Sequence, residues 1–367
     1  MAGIYIHVPF CTQRCSYCDF FSTIRLEEMD SYTDSVCLEI IQRKDYIKDK
    51  HINTIYFGGG TPSLLSKENL TKIFDTLYKN FDFSNLKEVT LECNPDDIRK
   101  DFFCKISDTP INRLSIGIQS FQDDELVMLN RRHNAEQAKK AVKMAQDNYF
   151  NNISIDLMYG LPQQKIDLWN KTIQEALSLN VQHISAYHLS YEVGTKMYSM
   201  RNKAVDEETS LELFQSLRHS LIGGGFEHYE ISNFAKTEFR SIHNSSYWKN
   251  VEYLGLGAGA HSYNGCNSRQ WNLSNLDKYQ QAVKNNGIYY EQEILNDDDI
   301  YNELIIKSLR TCEGININNI DNKYLDHCIK NSNLYTKEGL LCKQDNFIKL
   351  NENGIFVSDR IIRDLMI

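Results

Sequence analysis

Three cysteines near the amino terminus have a spacing that could hold an inorganic centre. Cys11, Cys15 and Cys18 are spaced C-x3-C-x2-C and directly follow an apolar run at residues 4–8. Thiolates are favoured ligands of zinc and of iron–sulfur clusters. Structural zinc takes four nitrogen or sulfur ligands, and a [4Fe–4S] cluster usually takes four cysteines. The spacing favours a cluster with one open iron, and a zinc site or three ordinary buried cysteines are the alternatives.

A fourth ligand for zinc is hard to find in this sequence. His7 is expected to point out of its strand, and no second C-x2-C occurs in the chain. The other cysteines are scattered, and we expect them to be structural. They are Cys37, Cys93, Cys104, Cys266, Cys312, Cys328 and Cys342.

Composition limits the classes of protein to which the chain can belong. Its 367 residues predict one large domain and a smaller one. A net charge of −9, without a basic run, argues against a nucleic-acid partner. No stretch is apolar enough to span a membrane, and no secretory signal is evident. We therefore expect a cytoplasmic protein whose cysteines are thiols and ligands rather than disulfides.

Strand-like and helix-like segments alternate over the first half of the chain. Short β-branched or aromatic runs lie at 4–8, 52–57, 88–92, 113–118, 152–158 and 183–189. Amphipathic segments between them lie at 26–48, 67–80, 97–107, 123–129 with 135–148, and 168–179. This alternation predicts βαβ units and a parallel sheet, either doubly wound or a (β/α) barrel.

Polar groups or potential ligands lie at or near the carboxyl end of each of the first five predicted strands. The cysteines come first, then the glycine triplet of residues 58–62, Glu92, Gln119 and Asp156. Loops that converge in this way are typical of the top of a barrel. We therefore predict an α/β fold with a partial (β/α)6 TIM-type barrel, extra strands and a small α+β domain at its carboxyl end.

Each of these groups also has an ordinary structural explanation. The triplet can be a turn or a close approach of backbone to a ligand, and it fits neither nucleotide-binding glycine motif. Glu92, Gln119 and Asp156 can simply cap the helices that follow. Together, two carboxylates and an amide facing one pocket suit an amine, ribose hydroxyls or a purine.

The regular alternation ends near residue 192, and we predict three regions. Residues 1–230 form the barrel, 231–295 an extension, and 296–367 a winged-helix-like domain whose acidic surroundings argue against DNA binding. In the extension, residues 243–248 read His-Asn-Ser-Ser-Tyr-Trp, without helical or strand period, before the glycine-dense stretch 254–262. Such a histidine is usually structural, but it is also the axial nitrogen that a planar metal-containing ligand needs.

Several motifs together carry a family resemblance. The cysteine spacing with Tyr17 resembles the radical S-adenosylmethionine (SAM) signature. The segments 5–11, 58–62, 117–121 and 156–162, with Arg131 and His133, are similar to the oxygen-independent coproporphyrinogen III oxidase family. Asn130 stands where that family commonly has glycine. The resemblance covers nearly the whole chain.

The resemblance implies a set of cofactors and their ligands. Cys11, Cys15 and Cys18 would hold a [4Fe–4S] cluster whose fourth iron takes SAM, and the cluster would reduce the sulfonium to start radical chemistry inside a shielded barrel. Further residues match positions that contact SAM in the family. They are Tyr5, Tyr17, Gly59, Gly60, Thr61, Glu92, Gln119, Arg131 and Asp156.

The family has two branches, and the sequence is more similar to the haem chaperone branch (HemW-type). Oxidases have a fourth cysteine where this chain has Phe20, and they carry an amino-terminal extension, whereas this chain begins three residues before its first predicted strand. The chaperone branch has H-N-x-x-Y-W, which His243, Asn244, Tyr247 and Trp248 match. The resemblance implies haem binding through His243.

The chaperone branch also implies particular partners. It implies delivery of haem to an acceptor protein, for which a respiratory, membrane-associated protein is one expectation, and it implies a homodimer. Porphyrin biosynthesis by oxidative decarboxylation is the alternative, so whether the chain is an enzyme stays open at this point.

Overall fold

The computed structural model describes residues 2–367. Its strands are β1 Ala2–Val8, β2 Ile52–Gly59, β3 Glu88–Cys93, β4 Arg113–Gln119, β5 Ile153–Tyr159, β6 His183–His188, β7 Glu227–Glu230, β8 Asn233–Ala235, β9 Glu252–Leu256, β10 His261–Tyr263, β11 Ser268–Asn272, β12 Tyr290–Ile294, β13 Ile315–Asn316, β14 Leu341–Gln344 and β15 Phe347–Leu350.

The helices alternate with the first six strands and then become less regular. They are α1 Met29–Arg43, α2 Lys67–Asn80, α3 Lys100–Ile106, α4 Asp123–Met128, α5 Ala135–Asp147, α6 Ile166–Ser178, α7 Glu207–Gly223, α8 Ile242–Tyr247, α9 Leu276–Lys284, α10 Asp297–Leu309, α11 Asn322–Lys337, α12 Glu352–Phe356 and α13 Ser358–Leu365. Among residues 2–367, none of these helices is long and apolar enough to cross a membrane.

One sheet of twelve strands forms the barrel and its extension, in the order β12-β11-β10-β9-β1-β2-β3-β4-β5-β6-β8-β7. The seven strands from β9 through β6 pair in parallel, and the outer strands pair antiparallel. The order is linear, so the barrel is incomplete. This confirms the predicted fold class, including the extra strands.

The seventh parallel strand, β9, lies in the glycine-dense stretch and was not predicted as a strand. Gly255 interrupts its apolar pattern, and glycine weakens any strand signal. A Cβ atom at Gly255 would lie 2.0 Å from the carbonyl oxygen of His261, so the strand needs glycine there for β10 to pass close by.

Two predicted segments differ from the structure. The segment 26–48 contains only the fifteen residues of α1, after a 3₁₀ turn at Leu26–Glu28. Beyond the helix, the Glu252 carboxylate accepts the backbone N–H groups of Lys48 and Asp49, which holds this part of the segment outside α1. Residues 243–248, predicted to be irregular, lie mainly in the six-residue helix α8, which is too short to show a period.

The carboxy-terminal residues have a hydrophobic core of their own. Tyr301, Ile305, Cys328, Ile348 and Ile361 belong to a buried cluster that is separate from the core of the barrel. A three-stranded antiparallel sheet, β13-β15-β14, lies beside these helices. This separate core agrees with the predicted division at residue 296, which stays a prediction.

A buried ion pair on α1 connects the extension to the barrel through its hydrogen bonds. Glu39 is fully buried on α1 and lies 3.3 Å from Arg43. Its carboxylate also accepts hydrogen bonds from the Gly257 N–H at 2.7 Å and the Tyr279 hydroxyl at 2.6 Å. Arg43 donates to Gln270 at 2.7 Å. The charges are fully hydrogen-bonded, which is the condition under which burial of an ion pair is tolerated.

We predict that Glu39→Gln destabilises the protein by about 3 kcal/mol, because Arg43 loses its counter-charge in a buried site. Urea unfolding measures the change. Asp147→Asn is the matched control, since it removes the exposed pair with Lys143 and should cost less than about 0.5 kcal/mol. Equal effects of the two variants would contradict the role of Glu39.

Candidate functional site

A cavity of about 490 Å³ lies at the carboxyl ends of the parallel strands. Every residue predicted for the site lines it except Tyr5 and His243. The lining residues from that prediction are Cys11, Cys15, Tyr17, Cys18, Gly59, Gly60, Thr61, Glu92, Gln119, Arg131 and Asp156. Residues that are up to 145 positions apart in the sequence therefore meet in one place, because parallel strands end at the same edge.

The cysteine loop is held by distant backbone groups. The Ser16 N–H donates to the Leu129 carbonyl at 3.0 Å, and the Ser16 hydroxyl donates to Met128 at 2.9 Å. The Met197 N–H in turn donates to the Ser16 carbonyl at 2.8 Å. Tyr17 packs beside this contact against a small apolar cluster. The loop therefore has a fixed position between two other loops of the barrel.

The glycine triplet lets the second loop lie directly against the first. The Gly60 N–H donates to Val8 at 2.9 Å. A Cβ atom on Gly60 would lie 2.7 Å from the Phe10 carbonyl oxygen, so a side chain there would push the cysteine loop away. Gly59 has φ of +112°, which favours glycine, and its N–H donates to Glu92 at 3.1 Å.

Two of the three thiols contact hydrogen-bond donors. The Thr61 hydroxyl donates to Cys11 at 3.6 Å, and the Arg131 guanidinium donates to Cys15 at 3.1 Å. Burial raises the pKa of Cys11, and burial raises that of Cys18 to about 11. Metal ligation requires thiolates, so binding of a metal centre here releases protons.

The thiols line a wall of the cavity rather than forming a tight tetrahedral group. Among residues 2–367, no three His, Cys, Asp or Glu side chains come together closely enough to hold a single metal ion. The donor set of the loop is nevertheless soft, since it consists of the thiols of Cys11, Cys15 and Cys18, and the cavity is also lined by Cys93 and His188. Such donors fit an iron–sulfur cluster, which is larger than one ion.

Two half-buried carboxylates, Glu92 on β3 and Asp156 on β5, face the cavity. Burial raises the pKa of Glu92 to about 7, although the Tyr56 hydroxyl donates to it at 2.8 Å. Burial likewise raises the pKa of Asp156 to about 6, with Ser115 donating at 3.5 Å. Because the negative charge of Asp156 also raises the pKa of Glu92, this site favours a ligand that brings positive charge or hydrogen-bond donors.

Polar groups without partners face the same space. Gln119 is 7% exposed, and no hydrogen bond of its side-chain amide is found among the described residues. It has φ of +72°, a strained backbone for a residue other than glycine, at a bulge between β4 and β5. The Nε of Arg131 is also buried and unpaired. Strain and unpaired donors are typical of a site that is completed by a ligand.

Arg131 is fixed by groups around the cavity. It donates to the side chain of Asn94 and to the carbonyl of Gly117, both at 2.6 Å. The preceding Asn130 has φ of +57°, the conformation for which glycine or asparagine is preferred. Its side chain donates to the Arg14 carbonyl at 2.7 Å. Asparagine therefore keeps the turn and adds a contact to the cysteine loop.

Tyr5 lies inside the barrel below the cavity. Its hydroxyl contacts Nδ1 of His7 at 3.0 Å, and the Nε2 of His7 contacts the Phe21 carbonyl at 3.1 Å. His7 is 6% exposed, so the expectation that it points outward is wrong. Alternation along β1 places Tyr5 and His7 on the same inner face.

His243 is remote from the cavity and fully buried. Its Nδ1 lies 2.8 Å from the Thr54 hydroxyl, and its Nε2 lies 2.8 Å from the Tyr247 hydroxyl. Burial lowers its pKa to about 3, so the imidazole is neutral. To ligate a metal ion, His243 would have to release one of these two hydrogen bonds. The role of His243 in binding haem stays a prediction.

Three residues that position these groups were not predicted. The Glu88 carboxylate, at the start of β3, accepts the backbone N–H groups of Ile242 and His243 at 2.9 Å and so holds the start of α8. Tyr56 stacks on His243 with ring centroids 5.1 Å apart. Asn94 lies between Thr61 and Arg131. Of these three residues, only Asn94 could have been found from the sequence, because it follows the predicted strand end at Glu92.

Family models match two regions of the chain. Residues 5–176 match the radical SAM superfamily, and residues 295–357 match the HemN C-terminal domain. The first region contains the whole cysteine loop and the ends of β1 to β5 at the cavity. The second coincides with much of the small carboxy-terminal core.

Curated relatives are similar over most of the chain. "Heme chaperone HemW" of Bacillus subtilis is 34% identical over 332 residues, 88% of this chain and 87% of the relative. The protein of the same name from Haemophilus influenzae is 36% identical over 71% of this chain and 69% of its own. "Radical S-adenosyl methionine domain-containing protein 1, mitochondrial" of Danio rerio is 33% identical over 86% of this chain and 74% of its own.

A solved structure shares the whole fold. The coproporphyrinogen III oxidase (HemN) of Escherichia coli, described as a radical SAM enzyme, superposes with a TM-score of 0.86. The match covers 100% of this chain and 90% of that one, at 23% sequence identity. This likeness shows the fold, with the barrel, extension and carboxy-terminal elements in the same order.

We predict that SAM binding to the cluster-loaded protein strengthens as pH rises from 5.5 to 8. Glu92 and Asp156 are protonated below their pKa values of about 7 and 6, and only the carboxylates attract a cationic ligand. Each unit by which the ligand lowers a pKa is worth tenfold in affinity. Calorimetry at the two pH values measures the change, and Glu92→Gln should flatten it. Equal affinities for the wild type would contradict the prediction.

Proposed function

Because the chain belongs to the heme chaperone HemW family of radical SAM proteins, we propose that it binds haem and passes it to an acceptor protein. The observation that carries this proposal is the 34% identity to a heme chaperone over 88% of the chain. The absence of a fourth cysteine at Phe20 supports it over the oxidase alternative.

In this proposal the protein also carries a [4Fe–4S] cluster, which Cys11, Cys15 and Cys18 hold. The shared cavity and the soft donor set support this assignment. The Thr61 and Arg131 contacts offset negative charge on Cys11 and Cys15. When bound, the cluster supplies an electron to the sulfonium of SAM.

SAM fits the groups that the cavity leaves without partners. The Nε of Arg131 and the amide of Gln119 can hold a carboxylate and an adenine or ribose group, respectively. Glu92 and Asp156 can accept hydrogen bonds from an amine or from ribose hydroxyls. Gly59, Gly60 and Thr61 let the ligand approach the backbone beside the thiols. Tyr17 closes this side of the cavity, and Tyr5 supports Gly58 from below.

Haem binding at the motif helix α8 is the remaining part of the proposal. His243 is neutral, as a metal-ligating imidazole must be. The hydrogen bonds with Thr54 and Tyr247, one accepted and one donated by the neutral ring, orient the imidazole, as partners of ligating histidines usually do. A respiratory, membrane-associated acceptor and a homodimer are proposed on the family resemblance alone.

Cys15→Ser should abolish the broad visible absorbance of the reconstituted cluster, because the loop has no other thiol that can replace it. Anaerobic absorbance with iron and sulfide analysis measures the loss. Cys104→Ser is the matched control, since Cys104 is exposed on α3, and it should keep about four iron per chain as expected for one cluster. Full absorbance in Cys15→Ser would refute the ligand assignment.

Haem should saturate the wild-type protein at about one haem per chain, and His243→Ala should weaken haem binding at least tenfold. Visible titration under anaerobic conditions measures both. Tyr247→Phe is the control, because it frees Nε2 of His243 while keeping the ring, and it should bind haem as well as the wild type does or better.

The pattern of outcomes separates the possible roles. Equal losses in His243→Ala and Tyr247→Phe would mean that the histidine positions α8 rather than ligating iron. If the wild type shows no saturable haem binding, the chaperone function is wrong, and decarboxylation of coproporphyrinogen III is the activity to assay.

A further inference from the structure

Asn94 lies at the centre of a chain of hydrogen bonds that joins two of the cysteines in the loop. Its side-chain oxygen accepts from the Arg131 guanidinium at 2.6 Å, and its side-chain nitrogen donates to the Thr61 hydroxyl at 3.2 Å. Arg131 also donates to Cys15 at 3.1 Å, and Thr61 donates to Cys11 at 3.6 Å. The two thiols are therefore connected through three side chains from the loops after β2, β3 and β4.

The place of Asn94 in the sequence would ordinarily give its side chain a different role. Asn94 directly precedes the 3₁₀ turn Pro95–Asp97, and asparagine is favoured as the cap of a helical turn. Its side chain makes no such cap, and only its backbone carbonyl accepts from the turn, from the Asp97 N–H at 3.0 Å. The residue is partly buried and lines the cavity. Its amide group is thus used by the cavity rather than by the turn.

The chemistry of the partners fixes the direction of each bond in this chain. Arginine carries only donors, so the Asn94 atom that faces Arg131 is the oxygen and the atom that faces Thr61 is the nitrogen. Because the Thr61 oxygen accepts from that nitrogen, its single proton is left for the Cys11 sulfur. Asn94 therefore directs donors toward sulfur on both sides.

The two donors differ in how much they depend on Asn94. Arg131 has a second anchor in the Gly117 carbonyl, to which it donates at 2.6 Å. The Thr61 hydroxyl has no hydrogen bond other than those with Asn94 and Cys11 among residues 2–367. The contact with Cys11 is consequently the one that a change at Asn94 affects most.

Hydrogen bonds to cysteine sulfur are one of the means by which a protein sets the reduction potential of an iron–sulfur cluster. A donor stabilises negative charge on the sulfur, so it favours the reduced cluster, which carries one more negative charge. The positive charge of Arg131 beside Cys15 acts in the same direction. Both effects require donors that are held in place at the sulfur atoms.

We propose that Asn94 is a positioning residue that directs the Thr61 and Arg131 donors to the cysteine sulfurs and thereby makes the cluster easier to reduce. The inference rests on the proposed cluster and adds to it a residue that sets the redox behaviour of the cluster. Asn94 acts through its two neighbours and not through a contact of its own with a thiol.

Asn94→Asp tests the inference because it keeps the shape of the side chain and reverses one bond. A carboxylate still accepts from Arg131, but it has no donor, so the Thr61 hydroxyl should turn toward it and away from Cys11. The equilibrium constant for reduction of the cluster should fall at least tenfold, which for one electron is about 59 mV in midpoint potential. An anaerobic titration of the reconstituted protein, followed by electron paramagnetic resonance, measures the potential. Dithionite supplies the electron, and no bond forms or breaks.

Three further variants separate the contributions. Asn94→Ala removes both bonds without adding charge, and it should lower the potential by less than Asn94→Asp does. In the Thr61→Val background, Asn94→Asp should have a smaller effect than it has alone, because the bond to Cys11 is already absent. Asn85→Asp is the matched control, since it makes the same charge change at an exposed residue before β3, at the end remote from the cavity. Its equilibrium constant should stay within twofold of the wild type.

Iron and sulfide analysis provides a second readout and distinguishes the inference from the proposal on which it rests. We expect about four iron per chain in every variant. If both Asn94 variants hold the cluster at the potential of the wild type, or if the effects of Asn94→Asp and Thr61→Val are additive, the inference is wrong and the cluster assignment stands. If both Asn94 variants lose their iron, Asn94 retains the cluster instead of setting its potential, which also overturns the inference. If the reconstituted wild type holds no iron, the proposed cluster itself fails.

Discussion

Parallel pairing along both edges of β1 is the constraint on which the site depends. β2 pairs with one edge and β9 with the other, and every residue of β1 except Tyr5 is buried. The cysteine loop therefore leaves the sheet between two other strand ends. Gly60 touches it on one side, and on the other a Cβ atom at Gly257 would lie 2.7 Å from the His7 carbonyl oxygen. Two glycines at these neighbouring ends allow the loop to lie between them.

The arrangement at the top of the barrel could be predicted from the sequence because it follows from strand order. Five runs of β-branched or aromatic residues mark the strands, and each is followed by a polar or ligand-type residue. Once the strands are parallel and consecutive, Glu92, Gln119 and Asp156 must lie at one edge. No knowledge of side-chain packing is needed for that inference. Tyr5 and Asp156 are each the fourth residue of a seven-residue strand, yet only Asp156 lines the cavity, so position along the strand does not by itself decide which side chain reaches it.

The other end of the barrel could not be predicted, because its contacts join residues without a local signal. Glu88 and Thr54 reach His243 across 155 and 189 residues, respectively. Helix α8 is capped partly from β3, so its own six residues contain little evidence of a helix. The two ends are joined inside the barrel by Tyr56, which bonds Glu92 and stacks on His243. A buried, fully bonded interior of this kind fixes one arrangement of the motif.

The contacts of Ser16 with Met128, Leu129 and Met197 have a consequence for biosynthesis. The cysteine loop is complete only when residue 197 and the strand β9 have also left the ribosome. Because chains are synthesised at about 5–20 residues per second, the thiols stay outside the barrel for on the order of ten seconds or more. The nascent chain therefore passes through a period in which three neighbouring thiols are open to oxidation.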